Sequence, residues 1–157
     1  MTNQRDILFM LHDVARQLRL ESDRRARAHD MTRAQWVILV CLERQPGLTQ
    51  KALAEILEVE PITVARLIDR LEDRGMVERR GDPADRRVWR LHLLPPAAPV
   101  LHDIHIERED LHRLLVDGVD ARTLATINAG LVRMKANLMA EPRGRAVERA
   151  ALEQDVA

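Results

Sequence analysis

Between Arg79 and Arg90 the chain places five arginines in twelve residues, although its 25 basic and 25 acidic side chains cancel overall. A guanidinium is a rigid fork of donors that fits phosphate oxygens and the acceptor edge of guanine. Arginines grouped in a neutral chain therefore point to a local polyanion-binding surface, since the net charge supplies no attraction of its own. The other reactive groups are sparse. Ser22 and Cys41 stand alone and Tyr is absent, which leaves few nucleophiles for a base to activate, so no enzyme activity is expected. A single cysteine also excludes an intrachain disulfide and a multi-thiolate metal site. His102, His105, Glu109 and His112 lie at i, i+3, i+7 and i+10 along one helix face. Only adjacent members could share a metal ion, so the stripe reads as a solvated face and no metal or other cofactor is expected. Phe9, Trp36 and Trp89 are too few to stack single-stranded bases.

The elements that must position the arginines follow from periodicity and caps. Ile7, Leu8, Leu11, Val14, Ala15 and Leu18 recur at helical spacing and predict a long first helix over residues 5–28. Thr32 and Gln35 form a capping box for a second helix that ends near Arg44, before Pro46-Gly47. Thr49 caps a short third helix through Leu57, with Leu48 and Leu53 as its staple. Glu58 to Glu60 form a tight turn, and Pro61 suits the first position of a fourth helix closed by Gly75. Two short helices so joined make a helix-turn-helix. The period then changes to two. Met76 to Arg80 and Val88 to Leu94 read as strands around Gly81-Asp82-Pro83-Ala84-Asp85, with Trp89, Leu91 and Leu93 on one face. A fifth helix starts in the Pro95-Pro96-Pro99 region and runs to about Val116. Asp120 caps a sixth helix, whose Leu124, Ile127, Leu131, Met134 and Leu138 repeat as a coiled-coil seam, and the tail after Pro142 can add a turn or two.

The expected fold is thus mainly α with a small β-hairpin wing: a winged helix-turn-helix over 31–94, and a helical dimerisation region over 1–30 and 95–157. In the fourth helix Val64, Leu67, Ile68 and Leu71 form the buried stripe, leaving Ile62, Thr63, Arg66, Asp69 and Arg70 outward. Such a helix fits the major groove of B-DNA with its N-terminal residues at the base edges. Arg66 suits a bidentate contact to guanine, and Pro61, Ile62 and Thr63 can reach thymine methyls or a phosphate. Residues 49–75 are acidic on balance, whereas the hairpin is basic. Its tip can enter the minor groove with Arg86, while Arg79 and Arg87 hold phosphates and Asp85 pairs with an arginine to aim Arg86.

The block LTQKALAEILEVEPITVARLIDRLEDRGMVERRGDPADRRVWRLHLL, Leu48 to Leu94, resembles the winged helix of the MarR/SlyA family of bacterial transcription regulators, on its D-x-x-D-R-R wing and its "RLIDRLEDRGMVERR" join. The resemblance implies that Arg66 is a recognition-helix arginine, that Asp85 and Arg86 are the wing's acid and minor-groove arginine, and that Arg87 contacts the backbone. It assigns the first, fifth and sixth helices to dimerisation. The family's Leu-Thr helix start is replaced here by Leu94-Pro95-Pro96.

The apolar seam of the sixth helix and the apolar face of the first exceed what a compact helix-turn-helix covers, which predicts a homodimer on a palindromic double-stranded operator. The resemblance further implies that a small aromatic or phenolic anion in a cleft releases the operator, and His12, His29 and Trp36 are candidates to line it. Charges flank the short apolar patch of the N-terminus and nowhere do about 18 apolar residues run together, so a cytoplasmic location without membrane association is expected. Two alternatives remain open: a winged-helix docking module without specific DNA binding, and a family member that senses metal or redox state through the histidine stripe or Cys41.

Overall fold

The computed structural model of the chain describes residues 6–140, so the expected turns after Pro142 lie outside the described residues. Six helices and one hairpin follow in the order α1 (Ile7–Ala28), α2 (Arg33–Arg44), α3 (Gln50–Leu57), α4 (Pro61–Asp73), β1 (Val77–Gly81), β2 (Trp89–Leu93), α5 (Ala97–Val116) and α6 (Ala121–Ala140). The chain divides into two compact units, one ending at His112 and the other beginning at Arg113.

Local chemistry explains where the elements begin. The capping box closes on both sides: the Thr32 hydroxyl accepts from the Gln35 N–H, and the Gln35 amide oxygen accepts from the Thr32 N–H at 2.9 Å. The Thr49 hydroxyl accepts from the Ala52 N–H, and Pro61 opens α4 where a missing N–H costs nothing. Between them Glu58 takes the left-handed conformation, φ +54°, which lets two helices follow each other with only three residues between. Gly75 ends α4 at φ +66°, a value glycine adopts without steric penalty. Asp120 caps α6 through both its oxygens, accepting from the Thr123 N–H and hydroxyl.

In the first unit α2 is the central post. Ile38, Leu39 and Leu42 are fully buried and belong to one cluster with Ala26, Leu53, Val64, Ile68, Leu71, Val77, Leu91 and Ile104, so every element of the unit places a side chain in the same core. In the second unit α6 has no buried residue: Ile127, Leu131, Met134 and Leu138 stand 39–80% exposed. At the other end of the chain α1 leaves Ile7, Leu8 and Phe9 more than half exposed.

Three features depart from expectation. The hairpin pairs antiparallel in the register Val77↔Leu93, Arg79↔Leu91 and Gly81↔Trp89, so Trp89 shares the face of Leu91 but lies beyond the core and is 52% exposed. A further bridge, Thr49↔Arg90, ties the entry of α3 to β2, with the Gly47 N–H on the Leu91 carbonyl and the Leu91 N–H on the Leu48 carbonyl. Pro95 and Pro96 form a turn rather than the first helical turn, so α5 starts at Ala97 and only Pro99 lies inside it. Because Leu39 is fully enclosed at the centre of the first unit, Leu39→Ala is expected to cost about 2–5 kcal/mol of unfolding free energy, measured by urea titration.

Candidate nucleic-acid interface

Alternation along the hairpin sorts its arginines before any ligand is considered. Arg79 stands opposite Leu91, on the face turned toward the core, and its guanidinium reaches α4 instead of solvent. There it pairs with Glu72 and with Asp69 Oδ1 at 2.7 Å, and donates to the Ala65 carbonyl, while its backbone N–H donates to Glu72 Oε1. Its side chain is only 22% exposed. Arg79 thus braces the hairpin against α4, a commitment that the expected phosphate contact did not include.

Arg80 and Arg90 sit directly opposite each other, a repulsive placement unless each charge is compensated. Both are, since Arg80 pairs with Glu78 and Arg90 pairs with Asp82 while donating to the Gly47 carbonyl at 3.0 Å. Arg86 and Arg87 remain. Both are exposed at the tip, and their guanidinium groups make no ion pair among the described residues.

Two aspartates hold the tip in shape, in roles other than the expected one. Asp82, not Asp85, pairs with an arginine. Its carboxylate also accepts from the Ala84 N–H at 2.7 Å and the Asp85 N–H at 3.3 Å, an Asx turn. These backbone bonds, with the Arg90 guanidinium, hold the Asp82 carboxyl below the usual carboxylate range. Asp85 Oδ1 accepts from the Arg87 N–H at 2.9 Å, and its carbonyl accepts from the Val88 N–H. The acid therefore fixes the backbone beneath the two free arginines rather than a guanidinium. Strand parity already pointed inward for Arg79, and an Asp two residues before Ala84 is an Asx-turn signal, so both assignments were available to a closer reading of the pattern.

On α4 the buried stripe is Val64, Ile68 and Leu71, and Pro61, Ile62, Thr63, Arg66 and Arg70 are all exposed. Arg66 and Arg70 make no ion pair among the described residues. The described protein therefore presents one exposed helix face with two uncommitted arginines, and a braced hairpin whose tip carries two more.

A second site lies in the first unit, a cavity of about 380 Å³. Leu18, Val37, Val40 and Leu111 give it apolar walls, Trp36 and Cys41 also line it, and its charged residues include Arg25, Arg33, Arg44 and Glu107. Of the three candidate lining residues, only Trp36 takes part. His12 is exposed on α1, and His29 packs against Trp36 with ring centroids 5.7 Å apart while its Nε2 lies 3.3 Å from Glu107 Oε1. Burial alone would raise Glu107, but the hydrogen bonds from His29 and Arg25, the latter at 2.6 Å, outweigh it and hold the carboxyl low. Burial pushes the Cys41 thiol up, against the direction a reactive thiolate requires, with Arg44 opposing only in part. Within the histidine stripe His105 pairs with Glu43 at 2.9 Å; among the described residues no group of three or more His, Cys, Asp or Glu is placed to hold a metal ion. No helix among the described residues is long and apolar enough to cross a membrane.

Comparison with known proteins gives concordant matches. The sequence model of the MarR family matches residues 31–89. The uncharacterized HTH-type transcriptional regulator YybA of Bacillus subtilis (strain 168) is 29% identical over 133 residues, covering 85% of this chain and 89% of that protein. Among solved structures, the transcriptional regulator PA3341 superposes with a TM-score of 0.75 at 33% identity, over 85% of this chain and 98% of that one. A mutant MarR from E. coli complexed with operator DNA superposes with a TM-score of 0.72 at 25% identity, over 83% of this chain and 94% of that one. The mainly helical architecture with an antiparallel hairpin is the one these structures share.

The Asp82 turn carries a pH signature. A carboxyl lowered in the folded loop contributes order that is complete above its unfolded value and is lost as pH falls through the lower, folded one. The Ala84 and Asp85 amide resonances are therefore expected to hold their positions at a pH where an ordinary aspartate is half protonated and to move only below it. In Asp82→Asn that titration should vanish.

Proposed function

This chain belongs to the MarR family, and from that premise we propose that it is a sequence-specific double-stranded DNA-binding transcriptional regulator, a repressor that grips a palindromic operator as a homodimer and leaves it when a small anionic effector binds. The observation that carries the reading is the sorting of the arginines. Arg79 is committed to carboxylates of α4, and Arg80 and Arg90 to carboxylates of the hairpin, which leaves Arg86 and Arg87 free at a braced tip, beside a helix with free Arg66 and Arg70. Uncommitted guanidinium groups on a preorganised frame lose little ordering entropy when they meet phosphate or guanine.

In this reading α4 lies in the major groove, where Arg66 takes guanine O6 and N7, and Arg70 reaches the flanking edge or backbone. Pro61, Ile62 and Thr63 form the leading end of the helix. Arg86 enters the minor groove, whose negative potential attracts a guanidinium, Arg87 holds a phosphate, and Asp85 keeps the tip backbone in place for both. Each subunit reads a half-site, and two half-sites one helical turn apart, roughly 34–36 Å, require a dimer. The unburied seam of α6 and the exposed Ile7, Leu8 and Phe9 of α1 are the surfaces available for it. The Trp36 cavity suits an effector, because its volume lies in the range of small-molecule sites and its arginines outnumber its single acid. A ligand that favours a different spacing of the two recognition helices by a few kcal/mol would release the operator.

Binding to duplexes selected from a random pool, measured at two salt concentrations, tests the reading. Arg66→Ala is expected to lose about 1–3 kcal/mol of discrimination at one base pair of each half-site. Arg87→Ala should weaken all sequences alike and lower the salt slope by about 0.9 for each phosphate contact removed. Weak, sequence-blind attachment of the wild type would leave the docking-module reading in its place. For the dimer, Leu131→Glu places a charge in the α6 seam and should shift sedimentation from dimer to monomer; a wild type that is stably monomeric at micromolar concentration refutes the two-half-site scheme.

A further inference from the structure

The first turn of α4 bears a side chain for which the fold has no use. Ile62 is 62% exposed, across the helix from the buried Val64 and Ile68 and four residues before Arg66, hence on the same face as that arginine. A helix start ordinarily attracts a phosphate through its unpaired N–H groups. Here that end is guarded by acid. Glu60 occupies the N-cap position with its carboxylate free of any cap bond, and Glu58, two residues earlier, makes no ion pair among the described residues. A branched alkyl group set beside two uncompensated carboxylates is suited to a base edge and not to the backbone. The one apolar group on the major-groove edge of the base pairs is the C5-methyl of thymine.

Resting on the reading that α4 enters the major groove, we propose that Ile62 is a specificity residue that packs on the C5-methyl of a thymine in each half-site. Four residues of helix advance about 6 Å and successive base pairs about 3.4 Å, so that thymine lies about two base-pair steps from the guanine read by Arg66. The ligand chemistry is the methyl group itself and not the thymine ring. 5-methylcytosine carries its methyl at the same place, so a methylated cytosine serves at this position better than an unmethylated one. Burying one methyl corresponds to about a fourfold change in affinity for each half-site.

The test uses the full chain and duplexes it selects from a random pool, with each thymine in turn replaced by deoxyuridine, which removes only the methyl. One position in each half-site should cost the wild type about fourfold, and the same replacement should cost Ile62→Ala nothing, whereas Ile62→Val keeps the penalty. At that position 5-methylcytosine should bind more tightly than cytosine. Since Ile62 is exposed, the variants are expected to melt with the wild type, which a thermal scan checks. Specific binding with no uracil-sensitive position, or a penalty that persists in Ile62→Ala, overturns the assignment. So does a Glu60→Gln variant that tightens every duplex equally while uracil is silent, because a phosphate then sits at the helix start. Failure of the pool to yield any preferred duplex removes the regulator reading itself, an outcome distinct from these.

Discussion

The Arg79 guanidinium, held between Glu72 and Asp69 of α4, is the contact on which the candidate interface depends. A hairpin of two five-residue strands has marginal stability alone in water and no fixed direction. Burial of Val77 and Leu91 anchors its base, but a hydrophobic anchor resists displacement more than rotation. The forked charge pair supplies the orientation, because a guanidinium that satisfies two carboxylates and the Ala65 carbonyl accepts few alternative geometries. The outward-facing helix and the hairpin are thereby tied to each other. From that coupling follows the separation of Arg66 from Arg86, on which any simultaneous use of two grooves rests.

The extent to which the chain could be read in advance varies with the range of the interaction. Caps and breakers are local, so Thr32 with Gln35, Thr49, Pro61 and Gly75 announce the ends of α2, α3 and α4. Periodicity likewise identifies Val64, Ile68 and Leu71 as the inward stripe and, by elimination, Ile62, Arg66 and Arg70 as the outward face. What escaped lies in contacts between residues distant in sequence. The Thr49↔Arg90 bridge spans 41 positions and has no local marker. His29 meets Glu107 across 78 positions, so it packs behind two lining residues, Glu107 and Trp36, and does not line the cavity itself. The opening of α5 at Ala97 was ambiguous because three prolines within five residues satisfy both a turn and a first helical turn.

Arginine content was a good guide to the place of the interface and a poor one to its members. Five arginines in the hairpin share three acids of their own, and α4 contributes two more. Counting charge cannot tell which guanidinium is consumed by the frame. Strand parity and the loop's hydrogen bonds can, and they divide the set into three structural members and two free ones. The same accounting applies around Trp36, where Glu107 engages Arg25 and His29 while Arg44 has no carboxylate partner among the described residues. The second unit shows the complementary case: α6 is well capped by Asp120, yet its apolar seam remains open, so secondary structure there is complete before packing is.

The unengaged tip has an evolutionary corollary. Because the Arg86 and Arg87 side chains make no ion pair among the described residues, exchanging them is expected to leave the conformational equilibrium almost untouched. Mutational drift can then alter these two positions without passing through unfolded intermediates. Arg79, sunk in the brace, lacks that freedom, so tolerated change within the hairpin is channelled to its tip.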